Sequence, residues 1–283
     1  MLPGVYVAYK KNGTAYYRSN ITFQNKHISL GSFVTEQEAH QAYRDAACLL
    51  FDSSTAIHDA FSLPTILSFH KVISLLNFRD NHIYFKNPIY LKNNYFVYYL
   101  SPTEELKFDI DDLFYYSNRK IMRRQGHLFV NDYGMQVNIL SRYGIKNYAV
   151  AGRDYYFVNE DPWDLRYSNI VVVNRYYGVT RIDSPGGRTY KAQIHINGIY
   201  LVGLYQNEEM AAVAYNKAVD LAKKNGITKN FLMNYVEEYS PRQYAEIYSS
   251  IRISEKYLDY LQKLNSNSHE SSNLSLSNLF DKE

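Results

Sequence analysis

The sequence predicts a protein of the α+β class, and three observations carry this prediction. A unit of short alternating segments followed by an amphipathic helical segment occurs twice, at residues 4–47 and 178–219. The middle of the chain, residues 77–173, has a different pattern of strands and a helix. Apolar residues then recur with helical spacing over residues 240–264. We therefore expect two three-stranded antiparallel sheet-plus-helix domains flanking an α+β domain, with a C-terminal helix.

The first copy has the turns and strands of a small antiparallel sheet. A glycine turn, "KKNG", precedes "YRSNITF", in which the side chains alternate between the two faces of a strand. After Gly31, the segment "TEQEA" makes Thr35 the N-cap of a helix whose first turn is acidic. The alanines Ala39, Ala42 and Ala46 let that helix lie close on the sheet.

The second copy repeats these features with one-residue length differences in two turns. Asn207, in "NEEMA", takes the N-cap position, and glycine turns "SPGG" and "ING" separate the strands. The residues Tyr190, Ile194, Gly203, Ala211, Ala214, Tyr215 and Ala218 match Tyr17, Ile21, Gly31, Ala39, Ala42, Tyr43 and Ala46. Each copy is therefore expected to fold in the same way.

The helix decides which face of each sheet is free. In "YRSNITF", Tyr17, Ser19, Ile21 and Phe23 are expected to face the helix, and Arg18, Asn20 and Thr22 to face away. In "YKAQIHI", the outward residues are Lys191, Gln193 and His195. The bases of the first copy lie on strands and turns and its acids on the helix, which predicts a positive sheet face. Such a face can neutralise phosphates and read base edges, although an ordinary solvated face has the same pattern.

Both copies resemble the plant ethylene-response-factor (Apetala-two) DNA-binding domain. The matching motifs are the opening Gly-Val, an aromatic-x-Ala-x-Ile strand ("YKAQI"), Leu-Gly-x-Phe, and Glu-x-Ala-x-x-Ala-Tyr-x-x-Ala within "GSFVTEQEAHQAYRDAA". Together the copies cover about a third of the chain. In that family the sheet lies in the major groove, which implies DNA contacts by residues on the two outward faces. Carried over by position, these faces include Arg18, Asn20, Thr22 and His27 in the first copy, and Thr180, Lys191, Gln193 and His195 in the second. Further candidate DNA contacts are Lys10, Arg181 and Arg188.

The opening arginines of that family are absent here. Their positions hold Tyr6, Ala8, Thr180 and Ile182, so the resemblance does not imply a particular target sequence.

Composition limits the class of protein further. The chain has 283 residues, a net charge of +3 and no window approaching a membrane span, and its N-terminus lacks the pattern of a secretory signal. The single cysteine, Cys48, excludes a disulfide framework within the chain and a cysteine-rich zinc site, and suits a reducing cytosol. Cys48 lies in an apolar helical run and is predicted to be in the core.

The middle segment begins with two strands, and a helix is predicted from about Thr103, with Glu104 and Glu105 in its first turn. The later stretch "NEDPWDLRYSNIVVV" is similar to the HNH domain of homing endonucleases, in which an Apetala-type domain often follows. The signature of that family is Asp-His-Ile-Asn-Gly-x-x-x-Asp-Asn-Arg-x-x-Asn-Leu. Its frame is kept by Asn159, Pro162, Asp164, Arg166 and Asn169.

The residues that perform the chemistry of that family are replaced. Phe157 stands at the position of the general-base His, and Tyr156 at that of the metal-binding Asp. The second metal ligand falls near Gly178, and an upstream His corresponds roughly to Asn138. Phe cannot accept a proton, and Tyr and Gly offer no carboxylate to a hard cation. The resemblance therefore implies a domain without catalysis, metal or cofactor, whose retained Asn159, Asp164, Arg166 and Asn169 hold the loop together.

Three further segments carry predictions. The basic run "NRKIMRR", with Arg119, Lys120, Arg123 and Arg124, is either a phosphate contact or a solvated face. The stripe of the C-terminal helix, Tyr244, Ile247, Ile251, Tyr257 and Leu261, either packs on the second copy or pairs with another protomer as a homodimer. Residues 54–78 are apolar enough to form a packed helical connector.

The predicted organisation is a first Apetala-type domain at 1–53, a connector at 54–76, an HNH-like domain at 77–175, a second Apetala-type domain at 176–236, a helix at 237–264 and a disordered tail at 265–283. We expect a sequence-specific, double-stranded-DNA-binding regulator of a phage or mobile element, located at the nucleoid in the bacterial cytoplasm. One alternative is an active HNH endonuclease with ligands recruited from His127 or Asp154. Another is a protein-interaction module that binds a host or immune protein.

Overall fold

The computed structural model describes residues 1–264 and confirms the α+β class. The predicted tail, residues 265–283, lies outside the described residues. The chain divides into two compact units. The first contains Met1–Ile139 and Phe157–Ile170, and the second contains Leu140–Tyr156 and the described residues from Val171 to 264.

The first copy of the repeat forms the predicted sheet and helix. Its elements are β1 (Val5–Tyr9), β2 (Ala15–Phe23), β3 (Lys26–Phe33) and α1 (Glu36–Phe51). The strands form an antiparallel sheet in the order β1-β2-β3. Thr35 caps α1 as predicted, because its side chain accepts from the Glu38 backbone N–H while the Glu38 carboxylate accepts from the backbone of Thr35.

Helix α1 packs on the sheet through its alanines. Ala39, Ala42 and Ala46 have no exposed surface, so the helix approaches the strands closely. Cys48 is exposed, and the prediction that it lies in the core was wrong. Six residues after Ala42 the helix has turned about 240°, so Cys48 faces away from the stripe that Ala42 and Ala46 define.

The predicted connector is helical and packed. It forms α2 (Ile57–Ala60) and α3 (Phe69–Asn81), and Ser68 caps α3 through the Lys71 backbone N–H. Buried residues of α3, including Ile73, Leu75 and Leu76, join one core with Ile21 and Ile28 of the first sheet.

The middle segment begins with a three-stranded antiparallel sheet, ordered β4-β5-β6. Its strands are β4 (Ile89–Leu91), β5 (Tyr95–Ser101) and β6 (Glu104–Asp109). The helix predicted from Thr103 was therefore wrong, and a short helix, α4 (Leu113–Asn118), begins nine residues after Glu104. Leu106 and Phe108 are fully buried and alternate with half-buried neighbours, so this segment pairs with β5 as a strand.

A second three-stranded sheet of the middle segment consists of β7 (Ile121–Arg124), β8 (His127–Asp132) and β9 (Met135–Asn138). Two short strands, β10 (Tyr155–Phe157) and β11 (Ile170–Val172), pair with each other. Strand β10 precedes the stretch that resembles an HNH domain, and β11 lies near the end of that stretch.

The second copy forms the same sheet and helix as the first. Its elements are β12 (Val179–Ser184), β13 (Gly187–His195), β14 (Ile199–Tyr205) and α5 (Glu208–Lys224). Asn207 caps α5 by accepting from the Met210 backbone N–H. The two central strands carry a β-bulge at equivalent places, after Ser19 in β2 and after Ala192 in β13. The repeat thus extends to the irregularities of the sheets.

The C-terminal segment is helical but not continuous. Helix α6 (Pro241–Ser250) begins at the predicted cap, Ser240, and ends at Ser250; residues 255–264 are helical again. Ile251, Tyr257 and Leu261 are buried in the core of the second unit, and the Tyr257 hydroxyl donates to the Ala218 carbonyl at 2.8 Å. The stripe therefore packs on the second copy of the repeat, which was one of the two alternatives. Within residues 1–264, no helix has the length and apolar character needed to cross a membrane.

Candidate nucleic-acid interface

The outward face of the first sheet is polar and aromatic. Strand register places Arg18 between Tyr6 and Ser32, Asn20 opposite Ser29, and Thr22 opposite His27. These residues lie on the side of the sheet away from α1, since their neighbours Ser19 and Ile21 are buried. The register thus brings together four predicted contact residues, Arg18, Asn20, Thr22 and His27.

Arg18 is the charged centre of this face. Its guanidinium donates to the Tyr16 hydroxyl at 2.8 Å and lies 5.5 Å from the centroid of that ring. Among the residues that the structure describes, no carboxylate lies within ion-pair distance of Arg18. Tyr16 therefore orients the Arg18 side chain without neutralising its charge. Elsewhere on the same face, Thr22 Oγ1 and His27 Nδ1 are 3.3 Å apart.

The acids of the first copy lie on the helix side and have structural partners. Glu36 accepts from the Leu2 backbone N–H at 2.6 Å, and Asp45 accepts from the Thr65 hydroxyl at 2.8 Å and the Ile66 backbone N–H at 3.0 Å. Hydrogen bonds from the Ser54 side chain and backbone hold the pKa of Asp52 below its usual value. The predicted separation of charge is therefore present, with positive charge on the sheet and negative charge on the helix.

A groove that the sequence did not indicate adjoins this face. It has a volume of about 830 Å³, and His27 and Ser29 line it together with three lysines around Tyr84. The Lys71 ammonium donates to the Tyr84 hydroxyl at 2.8 Å, and the Lys26 ammonium lies 5.2 Å from the centroid of that ring. Lys86 also lines the groove.

These three lysines form an uncompensated positive cluster. None of Lys26, Lys71 and Lys86 has a carboxylate within ion-pair distance in the described part of the chain. We call Lys26, Lys71, Lys86 and Tyr84 the lysine groove. They come from β3, α3 and the segment before β4, so only the fold brings them together. Several ammonium groups at one groove attract the negatively charged oxygens of a phosphate group.

The outward face of the second sheet differs from the first. Register places Thr180, Lys191 and Leu204 side by side, Gln193 opposite Leu201, and His195 opposite Ile199. Ile199 is 70% exposed and Leu204 is 60% exposed. The predicted contact residues Thr180, Lys191, Gln193 and His195 therefore share a face, but an exposed apolar row from β14 borders it.

Two other candidates of the second copy are already paired. Arg181 and Arg188 both contact the Asp183 carboxylate, at 3.0 and 3.1 Å respectively. The hydrogen bond from Arg188 is the main cause that lowers the pKa of Asp183, and Arg181 acts in the same direction. Arg181 lies opposite Tyr190 on the strand positions that alternate with Thr180 and Lys191. Neither arginine belongs to the outward face defined by Lys191. Lys10, in the first copy, lies in the exposed turn after β1.

The basic run of the middle segment has mixed surroundings. Arg119 pairs with Asp132 at 2.9 Å and lies over the Tyr115 ring, and Arg123 pairs with Glu104 at 2.8 Å. Arg124 and Lys120 are exposed. Two of its bases therefore stabilise local structure, and two are directed to solvent.

The stretch that resembles an HNH domain is held together by its own polar side chains. Asp164 is buried and accepts from the Arg166 guanidinium at 2.6 and 2.8 Å and from the Asn159 side chain at 3.1 Å. The Asn169 side chain accepts from the Asn159 backbone N–H at 2.9 Å and donates to the Asp164 carbonyl at 2.7 Å. The four retained residues therefore form one hydrogen-bonded network, which we call the loop network.

The two positions that the resemblance assigns to a general base and a metal ligand hold Phe157 and Tyr156. Tyr156 is exposed and Phe157 is half-buried. Of the two alternative ligands, His127 is exposed beside the β7–β8 turn, and Asp154 accepts from Arg153, Val150 and Asn174. In residues 1–264, no three His, Cys, Asp or Glu side chains are grouped so that they could hold a metal ion.

Comparisons with models of protein families, with curated proteins and with solved structures found no match to this chain.

Proposed function

We propose that the protein binds double-stranded DNA through the outward faces of its two sheets and does not cleave it. The observation that carries the proposal is the separation of charge in the first unit. Arg18 and the lysine groove lack carboxylate partners within the described chain, while the acids of α1 are engaged on the opposite side. A surface of this kind neutralises phosphates, and Asn20 and Gln193 supply amides that can read base edges.

The non-catalytic part of the proposal rests on the identities of two residues. Phe157 and Tyr156 replace a base and a metal ligand, and each such group supplies several kcal/mol of transition-state stabilisation in a nuclease. Regulation of a phage or mobile element is the role that the resemblance to homing endonucleases favours.

Binding of a labelled duplex, measured by fluorescence anisotropy over a series of salt concentrations, tests the proposal. Arg18→Ala combined with Lys191→Ala is expected to weaken binding and to reduce the slope of log K against log salt by about 2, since each lost phosphate contact removes roughly one unit. Supercoiled plasmid with Mg²⁺ or Mn²⁺ is expected to stay intact. Nicking that a point mutation abolishes would favour the endonuclease instead.

A matched control separates the sheet face from net charge. Arg44→Ala combined with Lys224→Ala removes one arginine and one lysine from exposed positions on α1 and α5. This variant should retain the affinity and slope of the parent protein. Equal losses in both double variants would show that charge alone matters and would contradict the assigned face.

A second candidate function, a protein-interaction module, is favoured by the exposed apolar row of β14, Ile199, Leu201 and Leu204. Exposed apolar rows are typical of protein contact surfaces, although they can also contact thymine methyl groups. The same titration distinguishes the two functions, because a pure interaction module shows no salt-sensitive duplex binding.

A further inference from the structure

A cavity of about 680 Å³ lies entirely within the second unit. Its walls come from residues 146–149, 153–154, 174, 176–180, 193–195 and 229–230, together with Ile199 and Tyr215. The volume is within the range of about 300–1,000 Å³ that small-molecule sites occupy. The lining contains the bases Lys146, Arg153 and Lys229, the imidazole of His195 and one acid, Asp154, so basic groups outnumber acidic ones.

Lys146 is the base without a partner. Its ammonium lies 5.1 Å from the centroid of the Tyr177 ring and 5.9 Å from that of Tyr176. No carboxylate or hydrogen-bond acceptor lies within bonding distance of it in the described residues. The other basic groups are engaged. Arg153 pairs with Asp154 at 2.6 Å, and Lys229 donates to the His195 carbonyl at 2.8 Å and lies 3.1 Å from His195 Nδ1.

The charge of Lys146 is poorly compensated. Burial lowers the pKa of Lys146 to about 7, although Glu208 and Asp154 act to raise it; Arg175 acts in the same direction as burial. A half-buried ammonium is costly unless it is paired. An anion in the cavity would supply the missing partner and would raise the fraction of charged lysine.

The remaining wall is aromatic and amide-bearing. Tyr148 is 93% exposed, with φ +70°, and lines the cavity together with Tyr177. Gln193 and Asn230, which carry side-chain amides, also line it. Tyrosine rings stack on bases of any sequence, and amides hydrogen-bond their edges. Charge, rings and amides thus occur within one cavity.

We propose that this cavity binds a nucleotide, with its phosphate at Lys146 and its base against Tyr148 and Tyr177. The nucleotide is either a free effector or an unpaired residue of a bound DNA strand. Both sources present the same phosphate and base to the site. The proposal does not depend on duplex binding by the sheets.

Titration calorimetry of the full chain tests the proposal with three probes: a deoxynucleoside monophosphate, inorganic phosphate and a five-nucleotide single strand. We expect one site per chain for a nucleotide probe and much weaker binding of phosphate alone. Binding of the monophosphate identifies a free ligand as the source, and binding of the single strand alone identifies a strand of DNA. No binding of either at millimolar concentration would overturn the proposal.

Two variants assign the binding to this cavity. Lys146→Met should lower nucleotide affinity at least about tenfold, because a charged hydrogen bond is lost, without lowering the melting temperature. Tyr148→Ala should lower it by about tenfold through lost stacking. Tyr133→Ala is the matched control, since Tyr133 is 94% exposed with φ +47° in the first unit. Unchanged affinity in both cavity variants would contradict the assignment.

Proton uptake gives a readout that a structural role of Lys146 would not produce. Lysine with a pKa of about 7 is partly neutral at pH 7.5, and an anion binds its charged form. Nucleotide binding should therefore take up protons at pH 7.5, measured in buffers of different ionisation enthalpy, and should weaken as pH rises above 7. Lys146→Met should abolish this uptake. The Arg18→Ala, Lys191→Ala variant should bind nucleotide normally, so failure of duplex binding and failure of this site are distinguishable.

Discussion

At the scale of single residues, a glycine and a tyrosine explain why the repeat begins as it does. Gly4 and Gly178 have φ of +75° and +69°, a region that glycine adopts without strain. A Cβ at Gly4 would overlap the Tyr43 ring, and one at Gly178 would overlap Tyr215. The Gly4 carbonyl accepts from the Asn20 backbone N–H at 3.0 Å. In each copy, the contact between this glycine and the tyrosine therefore fixes where the first strand begins and how closely the helix packs on the sheet.

This geometry predicts the effect of an added methyl group. Gly4→Ala combines left-handed backbone strain of about 1–2 kcal/mol with overpacking of about 1–3 kcal/mol. Gly13→Ala is the matched control, because Gly13 has φ +80° but no atom lies within 4 Å of the place that an added methyl group would take. Urea unfolding should show Gly4→Ala as the more destabilised variant. Equal destabilisation of the two variants would mean that the Tyr43 contact is readily relieved.

At the scale of elements, the loop network shows how a segment without regular structure is held in place. Asp164 is the centre of the network, since its carboxylate accepts from Arg166 and Asn159. The backbone on either side of Asp164 pairs with Lys107 of β6, through Lys107 N–H to the Trp163 carbonyl and Leu165 N–H to the Lys107 carbonyl. The residues on which the resemblance to a nuclease family rests therefore have a structural use here, because they hold the loop in place through hydrogen bonds.

The loop network predicts a pH dependence of stability. Burial acts to raise the pKa of Asp164, but hydrogen bonds from Arg166 and Asn159 outweigh it, so this pKa lies below the ordinary 3.8. The depressed pKa contributes stability that is complete above about pH 4 and is lost as pH falls through the folded-state value. Asp164→Asn should be less stable than the parent at pH 7, and the difference should shrink in acid. Thermal unfolding from pH 7 to pH 3 measures it, and a constant difference would contradict the assigned role.

Elements with local signals were predictable from the sequence, and elements fixed by distant partners were not. The capping residues Thr35 and Asn207 and the alternation in β2 and β13 are local, and the structure contains the elements that they indicate. Glu104 and Glu105 suggested a first helical turn, but the alternation of Leu106 and Phe108 and the pairing with β5 make β6 a strand. Helix α6 ends at Ser250 because Ile251 is drawn into the core of the second unit.

The same distinction applies to the candidate sites. The outward faces follow from strand parity, so Arg18, Asn20, Lys191 and Gln193 could be assigned from the sequence. The lysine groove and the cavity around Lys146 are each formed by segments that are far apart in the chain. The spacing of these residues in the sequence therefore does not indicate that they are close in space. Arg181 and Arg188 have the residue type that binds phosphate, but Asp183 already pairs with both. Charge in a sequence does not indicate which bases are free.

At the scale of the whole molecule, the chain carries two sheets of one architecture with unlike outward faces. The first face is polar and adjoins the lysine groove, whereas an apolar row borders the second. If both faces bind one duplex, the second binding event is intramolecular and proceeds at a high effective concentration. The affinity of the chain should then exceed that of either sheet alone, and the two faces should favour different features of the DNA.

Duplex length tests this coupling. On duplexes of about 10 base pairs, one helical turn, only one sheet has room to bind. We expect the affinity for DNA to rise by at least about tenfold at the duplex length that allows both sheets to bind, since linking two binding sites raises the overall affinity by about 10²–10⁴. Arg18→Ala combined with Lys26→Ala should remove that step while keeping the affinity for short duplexes that the second sheet provides. A smooth rise proportional to the number of overlapping sites, identical in parent and variant, would show that the two sheets bind DNA independently.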